Sequence, residues 1–396
     1  MFALERWTKG PDQQTRSTYN NMRHVLRLAS RLLTEDCSLD FFAHLTCGER
    51  KQDRSFNPPR TYIATTRYER TREARDEVRT LFRELGEVVS FVFAPRGYPI
   101  QAYGLTYAAK EETPFIKTIR PGDWPPIDRR YRTREYDGRC WPCVILSPDI
   151  LHFFDQGYEQ ASPSMTYKIA FLAAVTIAHE CVHAYDFWLG ESNKEPYFNR
   201  GDKKAELGYA WELQTFGRII NPLWNQIQGC TLLLSILTEE YIYREDRQAA
   251  LKKVADRTHI SSRSQFRRLE LDQAAWDRLD PRDIRGGEWF CESSSQSGMS
   301  YVCAVHAIPM AWIINWWQED HWEKMRRDYR HRGTYEPPRL GKTFMLFYQR
   351  NSDGASVHYP LNPSIAADAY EIQCYEEFER GRDKHSLYDH RAGRIL

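Results

Sequence analysis

Hydrophobic residues recur three or four positions apart along several stretches of the chain, which is the spacing of one face of an α-helix. The first such stretch predicts a helix from about Ser17. A second helix is predicted from about Tyr68 to Leu85, ending at Gly86, in which arginines alternate with acidic residues. Because opposite charges three positions apart pair along a helix, we expect these charges to form a solvated face rather than a nucleic-acid site.

Short runs rich in β-branched and aromatic residues follow these helices and predict strands. The runs cover residues 88–93, 103–107 and 143–146. Beyond Trp224, helical patterns dominate. They cover residues 231–243, 308–329 and 362–380. The tryptophans of the second of these helices are expected in the core rather than as a substrate platform. The polar stretch 293–298 is interpreted as a linker or a lid.

The longest apolar stretch lies between two recognisable helix ends. Ser162 is able to cap the first amides, Pro163 suits the first turn, and Gly190 is typical of a helix end. The residues between them therefore predict one long buried helix. Polar side chains interrupt its hydrophobic run, so we do not expect it to span a membrane. These side chains are His179, Glu180, His183 and Asp186.

Two histidines and a glutamate within this helix have the spacing of a metal site. His179 and His183 are four positions apart, which places both imidazoles on one face of the helix, and Glu180 stands beside them. The alternative is a helix whose histidines make ordinary hydrogen bonds or lie on the surface. On the metal hypothesis, the two imidazoles are part of a ligand set that another segment must complete.

The residues around this H-E-x-x-H pattern support the metal hypothesis. Residues 176–178 read Thr-Ile-Ala, and the positions around the histidines are uncharged. These positions are Cys181, Val182, Ala184 and Tyr185. In this stretch the chain resembles the zincin metallopeptidases, which exclude charge around their ligands. The resemblance implies a catalytic Zn²⁺ held by His179 and His183, with Glu180 as the catalytic base.

The third ligand distinguishes the groups of zincins from one another. A metzincin would carry glycine and histidine where this chain has Asp186 and Leu189, and the Gly-Thr-x-Asp pattern of aspzincins is absent. Residues 204–212 look instead like the second helix of a gluzincin, in which a glutamate completes the site. That resemblance favours Glu206, which follows His183 by 23 positions (206 minus 183).

Other carboxylates remain alternatives for the third ligand. Glu212 lies about 240° around the helix from Glu206, so the two cannot both face one ion. Asp186 and Asp202 are further alternatives. Asp186 could instead hold a ligand histidine in place or be an exposed helix residue.

The resemblance also implies a mechanism. Glu180 would take a proton from water during the attack and pass it to the leaving amine. In gluzincins a tyrosine or histidine further along the chain often donates a hydrogen bond to the developing oxyanion. The candidates here are Tyr301 and His306. The chain has 23 tyrosines, so a core position with a satisfied hydroxyl is the alternative for Tyr301.

The predicted fold class is α+β, mostly helical, with the two-part architecture of a zincin. Residues 1–190 would form an upper part that contains a small sheet and ends in the motif helix. Residues 191–396 would form a mainly helical lower part that carries the third ligand. In zincins an edge strand of the upper part pairs with extended substrate. We expect strand 143–146 or the strand near Val88 to be that edge, and a buried strand without substrate contact is the alternative.

Composition refines this picture mainly by exclusion. The 396 residues are 41% hydrophobic, enough for a sizeable core, and 55 basic against 54 acidic residues give no reason to expect nucleic acid or a membrane as a partner. The first residues lack the apolar core of a signal peptide, so we expect a cytoplasmic protein. Nine cysteines fit reduced thiols, and Cys140 and Cys143 are interpreted as structural.

Three functions agree with these features. The first is a zinc-dependent hydrolase acting on a peptide or other amide bond. The second is a zinc enzyme acting on a dedicated small-molecule substrate in a biosynthetic pathway, and the third is an inactive zincin-fold binding module. The presence of Glu180 argues against the third, because a decayed site often loses its base first. The sequence does not separate the first two, and it leaves the oligomeric state undefined.

Overall fold

The computed structural model has a mixed α+β fold, as predicted. The residues that it describes are 1–8, 15–98, 102–127, 131, 140–190, 194–202, 204–222, 233–241, 243–246, 249–250, 252–253, 300–340, 345–350 and 356–360. The α-helices are Thr15–Asn21 (α1), Arg23–Thr34 (α2), Asp36–Cys47 (α3), Arg72–Val88 (α4), Pro148–His152 (α5), Pro163–Leu189 (α6), Leu207–Phe216 (α7), Met310–Asn315 (α8) and Glu319–Arg332 (α9). The strands are Glu49–Asp53 (β1), Arg60–Ala64 (β2), Ser90–Phe93 (β3), Gly104–Tyr107 (β4), Cys143–Leu146 (β5), Ile219–Pro222 (β6), Leu233–Tyr241 (β7), Ser300–Ala307 (β8), Met345–Arg350 (β9) and Ser356–Pro360 (β10). Short 3₁₀ or π segments occupy Leu4–Arg6, Tyr68–Arg70, Lys110–Glu112, Ile116–Thr118, Pro121–Asp123, Phe153–Gly157, Tyr158–Gln160 and Arg244–Asp246.

The described residues belong to two compact units, each assembled from separate stretches of the chain. Unit one consists of Met1–Ala161, Ala173–Thr215 and Glu319–Glu336. Unit two consists of the described residues of Ser162–Leu172, Phe216–Gln318 and Pro337–Leu396. His179, His183 and Glu206 all lie in unit one.

The helices near the N-terminus confirm the sequence predictions, with changed ends. The helix predicted from about Ser17 is observed as α1 and α2. Helix α4 begins where the Thr71 hydroxyl accepts a hydrogen bond from the Ala74 amide at 3.1 Å. The helix continues past Gly86, where its end was predicted. Gly86 does not end the helix but permits close packing against Met1. A Cβ at that position would lie 3.0 Å from Cα of Met1.

A three-stranded sheet in the order β3-β5-β4 forms the centre of unit one, and its strands are the three that the sequence predicts. Strand β5 runs parallel to β3 and antiparallel to β4. One face of the sheet packs on a hydrophobic cluster. The buried members of this cluster are Val92, Ala94, Phe115, Ile119, Trp124, Cys143 and Ile145.

The prediction that residues 143–146 form the open edge of the sheet is wrong, and its alternative, the strand near Val88, lies at an edge that is partly covered. Strand β5 is central and is paired on both sides. The outer side of β3 is bonded to the N-terminal segment, where the Thr8 amide donates to the Phe91 carbonyl at 2.8 Å. Strand β4 pairs with β5 alone among the described strands, so it forms the other edge of the sheet. Strand order depends on contacts between distant segments, which local periodicity does not encode.

Helix α6 has the ends that the sequence predicts. The Ser162 hydroxyl accepts a hydrogen bond from the Met165 amide at 3.3 Å, and Gly190 follows the helix with a φ of 76°. By length and composition α6 could cross a membrane, but 89% of its most apolar window is buried inside the protein. It is therefore placed as a core helix, and its polar side chains lie among packed neighbours.

Unit two contains a five-stranded antiparallel sheet in the order β10-β9-β8-β7-β6. The helix predicted for residues 231–243 is therefore wrong, since Leu233–Tyr241 is strand β7, paired with β6 and β8. A short apolar run followed by two glutamates suits a helix and a buried strand alike, and here the pairing on both sides favours the strand.

The predicted helix at 308–329 is observed as two helices, α8 and α9, with a break between them. Three of its four tryptophans are core residues, as predicted: Trp312, Trp316 and Trp322 are buried, and Trp317 is half-buried. In unit two, the Trp312 and Trp316 rings pack edge-on at 5.3 Å between centroids. The predicted helix at 362–380 and the predicted linker at 293–298 lie outside the described residues.

The cysteines whose side chains are described are free thiols. They are Cys37, Cys47, Cys140, Cys143 and Cys181. Cys143 is fully buried in β5, and burial raises the pKa of its thiol. These observations agree with the structural interpretation of Cys143 and with a reduced state of the described cysteines.

Candidate metal centre

His179 and His183 lie one turn apart on α6, and their ring centroids are 5.1 Å apart. Both rings direct Nε2 at the same carboxylate oxygen, Oε1 of Glu206. The distance from this oxygen is 3.1 Å to Nε2 of His179 and 2.9 Å to Nε2 of His183. One ligand atom from each of the three residues lies within 4.8 Å of the other two. The structure thus brings together the three residues that the sequence proposes as ligands.

Glu206 occupies the position just before α7, rather than a place within the helix. Its carbonyl accepts a hydrogen bond from the Ala210 amide at 3.2 Å, and its Oε2 accepts one from the Tyr209 amide. One carboxylate oxygen therefore caps the helix while the other faces the two histidines. The partial positive charge at the start of a helix also favours the ionised form of this carboxylate.

Glu212, the main alternative for the third ligand, contacts the other side of the His179 ring. Its Oε1 lies 2.7 Å from Nδ1 of His179, so it holds the ring whose Nε2 faces Glu206. The side chain is buried, with 3% of its residue surface exposed. The structure therefore places Glu212 behind His179, a proposed ligand, and outside the cluster of three proposed ligands.

The two aspartates considered from the sequence contact other residues. Asp186 is buried, which excludes the exposed position, and its Oδ1 accepts a hydrogen bond from the Arg50 guanidinium at 3.0 Å. Burial raises the pKa of Asp186 to about 6, against the effect of Arg50. Oδ2 of Asp202 accepts a hydrogen bond from the Asn199 amide at 2.8 Å. In these contacts neither aspartate holds a ligand histidine.

Glu195 makes the contact to His183 that the sequence does not reveal. Its Oε1 is hydrogen-bonded to Nδ1 of His183, and its Oε2 accepts a hydrogen bond from the Leu207 amide at 3.0 Å. Glu195 lies in the connection between α6 and α7, at no recognisable spacing from either histidine. Both imidazoles therefore have a carboxylate on the nitrogen opposite Glu206, which fixes their orientation.

Glu180 is buried beside the histidines and is held by strand β4. The Thr106 hydroxyl lies 2.7 Å from Oε2 of Glu180 and 3.0 Å from its backbone carbonyl. Gly104 packs directly on the same side chain, because a Cβ at that position would lie 2.5 Å from Cγ of Glu180. Burial raises the pKa of Glu180, while the charges of His179 and His183 oppose that shift.

Gly208, in the first turn of α7, packs on the His179 imidazole. A Cβ at this position would lie 2.3 Å from Nε2 of His179. The small residues of 204–212 include Gly208, and the structure identifies Gly208 as the residue that permits this close approach. The absence of a side chain at 208 therefore lets the start of α7 approach α6 closely enough for Glu206 to reach both rings.

The close packing of these groups shifts their pKa values in opposite directions. Burial alone would lower the pKa of His179, but Glu206 and Glu212 outweigh it and raise this pKa to about 10. Burial would also lower the pKa of His183, but Glu195 and Glu206 raise this pKa well above its ordinary value. Burial disfavours ionised Glu206, but the two histidines hold its pKa well below the usual range. The carboxylates thus make this a site that stabilises positive charge.

Tyr209 borders the centre and was not singled out by the sequence. Its ring packs edge-on against His179, with 5.1 Å between centroids, and Nζ of Lys204 lies 5.2 Å from its ring centroid. Burial and the nearby carboxylates raise the pKa of Tyr209 well above its ordinary value. Tyr301 and His306, the predicted oxyanion donors, lie in β8, where only the backbone is described, so they remain predictions.

The three proposed ligands fit a divalent metal ion by type and position. Two imidazole nitrogens and one carboxylate oxygen form a donor set suited to zinc and related ions. Ligand atoms about 2.0–2.1 Å from a tetrahedral ion are roughly 3.3 Å apart. The observed separations of 2.9 and 3.1 Å need only a small outward movement to reach that value. The carboxylates behind both rings are a further feature of metal-binding histidines.

The chain matches no protein-family model, and no curated protein or solved structure is similar enough to count as a match. Function must therefore be argued from the geometry of the site itself.

Proposed function

We propose that this protein is a zinc-dependent hydrolase of peptide or other amide bonds, with His179, His183 and Glu206 as metal ligands and Glu180 as the catalytic base. The observation that carries the proposal is the approach of both Nε2 atoms to one oxygen of Glu206. Glu180, next to His179 in the sequence, is buried in the same place. A zinc ion bound there supplies a Lewis acid that polarises a carbonyl and lowers the pKa of water.

Glu180 has the environment of a general base. Burial raises its pKa from the ordinary carboxylate value, which makes it a better proton acceptor. The Thr106 hydroxyl, 2.7 Å from Oε2, donates to the carboxylate and fixes its direction. After accepting a proton from water, Glu180 would return that proton to the leaving amine and regain its charge.

Strand β4 supports an extended peptide as the substrate. The Ser147 amide donates to the Tyr103 carbonyl at 2.8 Å, and backbone groups in an antiparallel pair alternate between the neighbouring strand and the opposite side. The backbone N–H and C=O groups of Gly104 and Thr106 are therefore directed away from β5. These are the two residues that contact Glu180, so a peptide added along this side of β4 would pass beside the base.

The local architecture supports a zincin-like, specifically gluzincin-like, arrangement. An antiparallel edge strand packs on the motif helix, and the third ligand comes from the start of a second helix. The intact base argues for a catalyst rather than a binding module. The side of β4 on which no described strand pairs favours a peptide over a dedicated small molecule, because a peptide can pair with the repeating backbone of a strand.

Metal analysis and a peptide-cleavage assay test this proposal. The purified protein should hold about one zinc per chain and cleave members of a mixed peptide library, and a chelator should abolish cleavage. Glu180→Gln should keep the zinc but lower turnover by at least about 10²-fold, since it preserves size and removes the base. Glu111→Gln changes an exposed glutamate in the same way and should behave as wild type.

Three results would count against the proposal. A protein without bound zinc would exclude the metal site. Full turnover by Glu180→Gln would exclude the mechanism. Bound zinc without cleavage of any peptide would support the small-molecule or binding alternatives instead.

A further inference from the structure

The connection between α6 and α7 contains a segment, residues 194–202, that is docked on the β1–β2 hairpin. The Tyr197 amide donates to the Thr61 carbonyl at 2.8 Å, and the Ile63 amide donates to the Tyr197 carbonyl at 3.0 Å. Tyr197 thus adds one bridge to the edge of β2, parallel to Tyr62. We call residues 194–202 the docked segment.

Side chains further along the docked segment attach it to the same N-terminal elements. The Phe198 ring stacks on Phe41 of α3, with 4.3 Å between centroids and 8° between planes. The Phe198 carbonyl lies 2.9 Å from Nε2 of His44, also on α3. Nε of Arg200 donates to Oδ2 of Asp53, at the end of β1, at 2.7 Å. The segment is therefore held by several separate contacts.

Glu195 lies within the docked segment and contacts both ligand-bearing elements of the proposed centre. One oxygen is bonded to Nδ1 of His183 on α6, and the other accepts from the Leu207 amide, next to Glu206. Glu212 differs, since its described bond at the centre is to His179. Glu195 thus links the docked segment to two of the three ligand positions.

The hairpin has a second connection to α6 close to the same histidine. Arg50, on β1, donates to Oδ1 of Asp186 at 3.0 Å, and Asp186 lies three positions beyond His183. The Asp186 side chain is buried, so this contact is shielded from water. Hairpin, docked segment and motif helix thus form a closed set of contacts around His183.

We infer that Glu195 is a positioning residue that couples metal binding to the docking of residues 194–202 on the hairpin. The inference rests on the metal site of the proposed function. An ion at the centre fixes His183 and Glu206, and through Glu195 it fixes the segment on β2. The coupling is reciprocal, so a segment that docks poorly lowers the affinity for metal by the same factor by which metal strengthens docking.

Zinc titration combined with amide hydrogen exchange tests the inference. In the wild-type protein, Zn²⁺ should slow exchange at the Ile63 and Tyr197 amides, which form the bonds between segment and hairpin. Glu195→Ala should bind zinc about 10- to 100-fold more weakly, the usual cost of removing a partner of a ligand histidine. In this variant, saturating Zn²⁺ should no longer slow exchange at the two amides.

Glu195→Gln gives a second measurement that does not depend on loss of packing. Its amide has one acceptor oxygen, so it can accept from His183 or from the Leu207 amide but not from both. We expect the zinc affinity of Glu195→Gln to lie between those of wild type and Glu195→Ala. The absorption spectrum of the protein loaded with Co²⁺ in place of zinc should be unchanged, because the ligands are retained. Glu49→Gln is the matched control, since Glu49 is an exposed hairpin acid whose described ion pair is with Lys51.

The outcomes separate this inference from the proposed function. If the wild-type protein binds no zinc, both are overturned. If it binds zinc and both Glu195 variants bind it equally well, the metal site stands and the role of Glu195 is overturned. If zinc does not slow hydrogen exchange at the Ile63 and Tyr197 amides of the wild-type protein, the coupling is overturned as well.

Discussion

Nδ1 of His179 lies 2.7 Å from Oε1 of Glu212, on the side of the ring opposite the nitrogen that faces Glu206. A carboxylate in this place holds the ring and keeps the other nitrogen directed at the centre. The two glutamates that compete for the third-ligand role in the sequence therefore have different tasks, one on each nitrogen of the same imidazole.

Separate replacement of these glutamates should give different losses of zinc affinity. Glu206→Ala removes a proposed ligand and should leave no bound zinc after dialysis. Glu212→Ala removes the carboxylate that holds His179 and should lower the zinc affinity about 10- to 100-fold, with binding still measurable. Competition titration against a chromophoric chelator measures both. The reverse order, with the larger loss for Glu212→Ala, would contradict the ligand assignment.

Gly208→Ala should weaken zinc binding. The added methyl group would meet Nε2 of His179 at 2.3 Å, so the imidazole must move, and we expect at least about a tenfold loss of zinc affinity. Alanine favours a helix over glycine by about 1 kcal/mol, so α7 itself should not be destabilised. Gly122→Ala is the control, because no atom lies within 4 Å of a Cβ there. Equal affinities for the two variants would exclude the close contact.

Thr106→Val should alter catalysis through Glu180. Valine keeps the shape of threonine but has no hydroxyl group. It therefore cannot donate the hydrogen bond that the Thr106 hydroxyl makes to Oε2 of Glu180 at 2.7 Å. That bond favours the charged carboxylate, so its loss should raise the pKa of Glu180 further. The acidic limb of the pH–rate profile should move to higher pH, with turnover about tenfold lower and zinc content unchanged. Thr80→Val, at an exposed helix position, should leave the profile unmoved.

His24 should make the protein less stable in mild acid. It is buried against the rings of Phe154 and Tyr158, and burial, assisted by Arg27, lowers its pKa to about 3. An unfolded histidine titrates near pH 6.5, so below this pH the unfolded state binds a proton that the folded state does not. The unfolding free energy contributed by this group therefore falls as the pH drops from about 6.5 towards 3.

Replacing this histidine measures the size of the effect. Between pH 7 and pH 5, His24→Leu should gain about 2 kcal/mol in unfolding free energy relative to wild type, because it removes the titrating group. Urea unfolding at several pH values gives this difference. A constant difference across the range would show that His24 takes up its proton equally in the folded and the unfolded protein, so that folding does not lower its pKa.

The sequence predicts the parts of the centre that follow from local geometry. These parts lie within one stretch of the chain. They are the four-residue spacing of His179 and His183, the helix ends at Ser162 and Gly190, and the distance to Glu206. A known helical rise and turn relates the two histidines, whereas the choice of Glu206 follows from the resemblance of residues 204–212 to the second helix of a gluzincin. The structure agrees with the sequence at these positions.

The remaining contacts depend on long-range folding and could not be predicted. Thr106 and Glu180 are 74 positions apart, and they meet because β4 packs on α6. Glu195 reaches His183 because its segment docks on a hairpin that begins near residue 49. Strand β7 shows the same limit, since its apolar run is fixed as a strand only by its neighbours in the sheet.

The carboxylate of Glu206 has a different neighbour for each oxygen, a helix amide for Oε2 and two imidazoles for Oε1. With one oxygen engaged by α7, Glu206 would be a monodentate ligand. Two nitrogens and one oxygen would then leave a four-coordinate ion with one position for an exchangeable molecule. That open position distinguishes a catalytic centre from a closed structural one. On the proposed function, the cap of a short helix would thereby help to keep one position of the ion free for a substrate.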